Sequence, residues 1–143
     1  MAVDWQDVLA VACKNAEQAG IASRYRTISG SAFDVDWGTG YGLVLLTNFL
    51  HHFNQDTCVT LLKKVRGRLA PAGKTPAVEF VPNEDRVSPY MPAIFSLIML
   101  ATTPSGDAYT AAALNEMARA AGYCRASVIA LPPTPQSLVA FEI

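Results

Sequence analysis

No excess of either charge runs through this chain: 11 lysines and arginines stand against 12 aspartates and glutamates, for a formal net charge of -1. The basic residues occur singly or in pairs, without the stripe that a phosphate backbone requires, so nucleic acid is not expected as a partner. Paired cysteines are missing too. Cys13, Cys58 and Cys124 are odd in number and far apart, with no CxxC pair for zinc and no disulfide framework, which points to a reducing, cytoplasmic setting. No apolar run reaches the roughly 18 residues of a membrane span. The N-terminal MAVDWQDVLAVACKN carries acidic residues where a signal peptide is basic, so a soluble protein without a membrane partner is expected. Histidine is scarce, with 2 in the chain, and both fall in one short stretch.

Apolar residues, by contrast, are plentiful. A hydrophobic fraction of 51% with 16% charged is high for a soluble chain of 143 residues. That length suits one domain spanning 1–143, and the surplus of apolar residues predicts either a large core or, the favoured reading, a face covered by a partner, as in a homo-oligomer.

The stretch Tyr41 to Cys58, YGLVLLTNFLHHFNQDTC, carries most of the information. Leu43 to Leu46 reads as a strand buried on both faces, followed by a small polar pair and the two histidines. Upstream, AVDW opens as a very short apolar run ending in Asp4, read as a strand, and Asp7 to Ala19 has apolar residues near helical spacing with Gly20 placed to stop it. Arg24 to Ile28 alternates like a strand, and SAFDVDWGTG is a loop. Downstream, Val59, Leu61, Leu62, Val65 and Leu69 form one face of a helix over Asp56 to Leu69, which LAPAGK closes as a turn. Ala77 to Val81 reads as a strand and Tyr90 to Leu100 as a Met-rich helix. Thr102 to Asp107 is a loop, Thr110 caps a helix that Gly122 ends, and Arg125 to Leu131 and Ser137 to Ile143 are strands joined by PPTPQ.

Strands alternating with helices of about a dozen residues predict right-handed βαβ units. The fold class is α/β, three layers, with a mostly parallel sheet and an antiparallel C-terminal strand pair. Such sheets bind ligands at the carboxyl ends of their strands, which places Asp4, Gly30 to Phe33, Thr47 to His52 and Glu79 on one rim. On its position alone, His51 reads as a histidine satisfied at a strand end. His52 reads as a helix-start or packing residue. A pair of histidines with no third His or Cys nearby does not make a metal site, so no metal is expected.

VDW followed by a helix, RYRTISGSAF, YGLVLLTNFLHHFNQDTCVTLLKKVRGRLAPAGK, VEFVPNEDRVSP and ATTPSGDAYTAAALNEMARAAGY, with the final strand pair, resemble in order and spacing a known catalytic domain. It is that of class I S-adenosylmethionine-dependent O-methyltransferases, of the small-molecule type that includes the caffeic acid and hydroxyneurosporene enzymes. The resemblance implies a Rossmann-like methyltransferase sheet, S-adenosylmethionine as cofactor and the hydroxyl of a small molecule as methyl acceptor. It also implies that the chain begins at the second strand, without the first strand and its glycine-rich loop. The cluster WGTGYG, Trp37 to Gly42, precedes a strand instead of joining a strand to a helix, so it is not that loop. The missing strand would leave a gap of roughly 10 Å in the sheet. Without the loop, the isolated chain is expected to hold the cofactor weakly, at about millimolar affinity or not at all.

Carried over residue by residue, Asp4 would accept hydrogen bonds from the ribose hydroxyls, or else simply cap the next helix, and Trp5 would flank the adenosine. Ser31, Ala32 and Phe33 would lie around the adenine, with Ser31 where an aspartate is common, and Thr47 and Asn48 would border the cofactor. His51 matches the general base. Glu79 matches one of two glutamates that flank it, and Ala108 stands in the place of the other. Met91, Phe95 and Met99 would wall the acceptor pocket, or else serve as ordinary core. The competing reading is a catalytically inactive association module, in which open strand edges pair with another copy.

Overall fold

A computed structural model describes all residues, Met1–Ile143. The chain forms two compact units, Met1–Gly38 and Thr39–Ile143.

In the first unit, β1 (Ala2–Asp4) leads into α1 (Gln6–Gln18), and β2 (Thr27–Ser29) returns parallel to β1 with Asp4 opposite Ser29. Gly20 takes a φ of +67° and ends α1, as its sequence position predicts. The strand expected from Arg24 begins later, because Ala22–Arg24 closes a 3-10 turn in which Tyr25 N donates to Ala22 O.

In the second unit, β3 (Tyr41–Leu43), β4 (Leu46–Thr47), α2 (Gln55–Arg66), β5 (Leu69–Glu79), α3 (Tyr90–Thr102), α4 (Ala111–Ala120), β6 (Arg125–Ala130) and β7 (Ser137–Glu142) follow in order. β3 and β4 both pair with β5 in parallel, and β5–β7 and β6–β7 are antiparallel. The mixed α/β class and the antiparallel C-terminal pair are therefore as expected. α2 buries Cys58, Leu61, Leu62 and Val65 and packs on α4, which buries Leu114, Met117 and Ala118. The helical period puts these residues on one stripe each, and the stripes make the core together with Leu50 and Val139. Asn54 caps α2 by accepting from Thr57 N at 2.9 Å, and Thr110 caps α4 by accepting from Ala113 N at 3.3 Å. No helix is long and apolar enough to cross a membrane.

The strands fall into two sheets, β1–β2 and β3/β4–β5–β7–β6, which share no ladder. Two expectations change. The apolar run Leu43 to Leu46 is not one strand buried on both faces: it breaks into β3 and β4, and Leu43 and Leu45 are 57% and 54% exposed. β3 and β4 pair with β5 alone, and the sheet face that carries Leu43 and Leu45 lacks a packed cover, which leaves both side chains in solvent. Finally, LAPAGK is not a turn but the beginning of β5. The ladder moves from Tyr41↔Leu69 to Leu43↔Lys74, so Ala70 to Gly73 bulge out between them and the Pro-Gly character is absorbed within a strand.

Candidate active site

β4 ends at Thr47 and β5 at Glu79, and parallel pairing of Thr47 with Val78 brings the carboxyl ends of the two strands together. Asn48, at a φ of +52°, turns the chain out of β4 while its N–H donates to Val78 O at 2.9 Å, and its Oδ1 accepts from Gln136 Nε2. A 3-10 turn, Leu50–His52, follows and folds back over the end of β5.

Glu79 organises this turn. Its Oε1 accepts from the backbone N–H groups of Phe49 at 2.9 Å and Leu50 at 2.8 Å, and its Oε2 lies 2.5 Å from His51 Nδ1. Both side chains are buried, Glu79 at 3% and His51 at 4% exposure. A carboxylate has acceptor capacity for all three donors, and a ring nitrogen facing it carries the proton. His51 is thereby held as the Nδ1–H tautomer with a lone pair at Nε2. Nε2 makes no hydrogen bond, and no enclosed side-chain nitrogen or oxygen lacks a partner, so Nε2 opens to the surface. Phe95 of α3 meets the imidazole edge-on, with ring centroids 4.7 Å apart, and stacks on Phe80 at 4.0 Å.

The neighbouring residues divide sharply. His52 is exposed, and its pKa is lowered first by partial burial and then by the nearby His51, against a raising effect of Glu79. It is neutral at neutral pH and has no carboxylate partner of its own. Cys58 is enclosed beneath the turn, its Sγ 3.2 Å from Leu50 O, and burial pushes its thiol up to about 12, which keeps it protonated and unreactive. Of the three residues carried over to the acceptor pocket, Phe95 touches His51, Met91 is 47% exposed, and Met99 is buried. Ala108 is fully buried and supplies no second carboxylate.

Within the first unit, Asp4 and Gly30 to Phe33 lie at the carboxyl ends of β1 and β2, joined by Gly30 N donating to Asp4 O at 3.0 Å. One oxygen of Asp4 accepts from Trp5 N at 2.7 Å, which leaves the other without a partner. Trp5 itself is 64% exposed. Ser31 Oγ accepts from Phe33 N at 3.2 Å, and Ala32 O accepts from Trp37 Nε1 at 3.3 Å. Gly30 takes a φ of +135° and a Cβ there would strike Val35, so this turn depends on glycine. An exposed carboxylate with a free oxygen, beside an exposed indole, fits a ribose and its base.

An open groove of about 430 Å³ runs elsewhere, along Pro71 to Pro76 and Ala140 to Ile143. It holds no histidine, and its one carboxylate side chain, Glu142, is already paired with Arg125 at 2.8 Å. The buried histidine–carboxylate pair lies apart from it, at His51 and Glu79. What the sequence did not announce is the set of backbone donors at Phe49 and Leu50, and the contact of Gly106 and Asp107 with the His51 carbonyl. The only signal for the latter was the Pro-Ser-Gly-Asp composition of a segment read as a plain loop.

βα units with a buried His–Glu pair at the strand ends of the second unit and, within the first, an acidic residue closing a parallel strand are the parts of a Rossmann-like domain of the methyltransferase type. The chain belongs to the O-methyltransferase domain family, whose pattern matches residues 1–124. It is similar to a candidate O-methyltransferase from Nostoc punctiforme, at 52% identity and a TM-score of 0.95 over 97% of this chain and 43% of that one. It is also similar to PigF, solved with SAH, at 25% identity and a TM-score of 0.86 over 99% of this chain and 42% of that one. An O-methyltransferase family 2 protein from Planctomyces limnophilus, solved with apigenin, is 26% identical, with a TM-score of 0.87 over 99% of this chain and 42% of that one. The chain thus spans about two fifths of the length of these solved relatives. Among curated proteins no match was found.

Proposed function

We propose that this domain serves a transferase that moves the methyl group of S-adenosylmethionine to a hydroxyl oxygen of a small molecule. The observation that carries the reading is the 2.5 Å contact of His51 Nδ1 with Glu79, which leaves His51 Nε2 with a free lone pair. When bound, S-adenosylmethionine supplies an electrophilic methyl on a positively charged sulfur. His51 Nε2 would take the proton of the acceptor hydroxyl as that oxygen becomes methylated. Glu79 then faces an imidazolium and stabilises it without itself changing protonation. Asp4 would hold the ribose hydroxyls through its unpartnered oxygen, with Trp5, Ser31, Ala32 and Phe33 of the same unit beside the adenosine. Phe95, with Met91 and Met99 on the same stripe of α3, would border the acceptor, and orientation of the two substrates supplies most of the acceleration.

The relatives solved with SAH and with apigenin support this reading. The test is His51→Ala in the protein as its gene expresses it: methyl transfer should fall by about 10²–10⁴ with the melting temperature little changed. Turnover within twofold of the parent would end the assignment. In the isolated chain, calorimetry should find S-adenosylmethionine bound at about millimolar affinity or not at all, because neither unit contains a glycine-rich turn between a strand and a following helix.

Assembly with a second copy is part of the same proposal. α3 contains no charged residue, and Tyr90, Leu97 and Leu100 stand 71%, 64% and 76% exposed on it. An uncharged helix can pack on its own copy without like-charge repulsion, and a stable pair needs about 800 Å² from each partner. Light scattering should give a dimer or larger species at micromolar concentration, and Leu97→Glu should shift it to monomer. A monomeric parent chain would count against assembly. Three free thiols support a reducing, cytoplasmic location.

A further inference from the structure

We propose that Arg86, Asp107 and Ser96 form a latch that positions His51, acting on its backbone carbonyl while Glu79 holds its ring. The inference builds on the reading of His51 as the base, but its geometry stands apart from it. Asp107 N donates to the carbonyl oxygen of His51 at 3.0 Å. The preceding residue, Gly106, is seated so closely that an added Cβ would lie 2.1 Å from that same oxygen. The turn that carries the imidazole therefore rests directly on the Gly106–Asp107 backbone.

Side chains from two other elements hold that backbone in place. Arg86 Nη2 donates to both carboxylate oxygens of Asp107, at 2.7 and 2.6 Å, and Ser96 Oγ of α3 donates to Oδ1 at 2.5 Å. Arg86 sits between β5 and α3 at a φ of +56°, a left-handed conformation that a non-glycine residue adopts at a cost. Its N–H donates to Asn83 O at 2.9 Å, so a tight turn aims the guanidinium at Asp107. Ser96 adjoins Phe95, whose ring meets the imidazole, so α3 touches His51 directly through one residue and indirectly through the next.

None of the latch residues contacts the imidazole, and each acts through the His51 backbone, which makes them positioning residues. The ion pair is open to solvent, with side chains 45% and 35% exposed, and such a pair contributes little to global stability. Its loss should therefore show locally. Both atoms of the carboxylate meet a single guanidinium nitrogen, so a lysine ammonium can take the same place.

The test is hydrogen exchange by nitrogen-15 NMR, which resolves the chain's two histidines. The parent should show one Nδ1 proton protected from solvent, that of His51. In Asp107→Ala and Arg86→Met its exchange should rise about tenfold or more, while the Val139 amide in the core keeps its rate. Arg86→Lys should restore protection. A protected proton whose exchange is unchanged in Asp107→Ala, or rises only in step with Val139, overturns the latch while leaving the base assignment standing. A parent in which neither histidine has a protected Nδ1 proton overturns both.

Discussion

Glu79→Gln is expected to leave the fold in place and to remove the base. The glutamine oxygen can still accept from Phe49 and Leu50 N–H, so the 3-10 turn stays seated on β5. Its amide nitrogen, however, now donates where the carboxylate accepted. His51 Nδ1 must become the acceptor, the ring proton moves to Nε2, and the outward atom loses the lone pair that takes a hydroxyl proton. The equivalent carboxylate-to-amide change beside a triad histidine lowers turnover by roughly 10⁴. A fall of about 10³–10⁴ in methyl transfer is expected here, with the nitrogen-15 shifts of His51 exchanging their donor and acceptor pattern. Glu79→Leu acts differently, since it strands three donors in an enclosed site, at about 1–3 kcal/mol each. That sum is a large share of the roughly 5–15 kcal/mol that holds a domain together, so Glu79→Leu should unfold at markedly lower denaturant than Glu79→Gln. Turnover retained by Glu79→Gln would mean that the proton leaves by another route.

Gly106→Ala is the second large effect, and it comes from backbone contact alone. The new methyl would meet His51 O at 2.1 Å, Thr103 Oγ1 at 2.5 Å and the carbonyl carbon of His52 at 3.1 Å. Thr103 Oγ1 is itself tied to Gly106 N at 2.7 Å and to Met99 O at 2.8 Å, so it has no room to swing aside. Relief requires the 3-10 turn to lift from the loop, which breaks the Asp107 N to His51 O bond. Overpacking against main chain of this kind costs about 2–4 kcal/mol. The melting temperature should drop by roughly 10 °C, with protection of the His51 ring proton lost alongside. A shift of under about 2 °C would show that the segment yields more readily than its contacts imply.

The parts of the fold that were legible are those governed by neighbours in sequence. Leu61, Leu62 and Val65 recur at helical spacing with Lys63 and Arg66 outside, and α2 buries that stripe. Thr110 caps α4, and Gly20 and Gly122 take the positive φ that stops a helix. Periodicity misled at Leu43 to Leu46, because an apolar run records composition and not the number of neighbours its strand will have. It misled again at LAPAGK, where proline and glycine signal a turn, yet here serve as a bulge within a long strand. For the site, His51 and Glu79 were legible through resemblance, while the latch was not. Arg86 and Asp107 lie 21 residues apart in segments read only as loops, and nothing in either segment names the other.

By itself the sequence determined the helices, their caps and stops, the order of strand and helix, and the gathering of both histidines after one strand. These follow from φ restrictions, side-chain entropy and hydrogen bonds that act within about four residues. Tertiary structure decided the rest: which strands became edges, which imidazole nitrogen keeps its lone pair, and what the His51 backbone rests on. His51 and Glu79 are 28 residues apart and meet only because β4 and β5 run parallel with α2 crossing between them. A tautomer set by a partner so distant in sequence is a property of that crossover, and no local rule contains it.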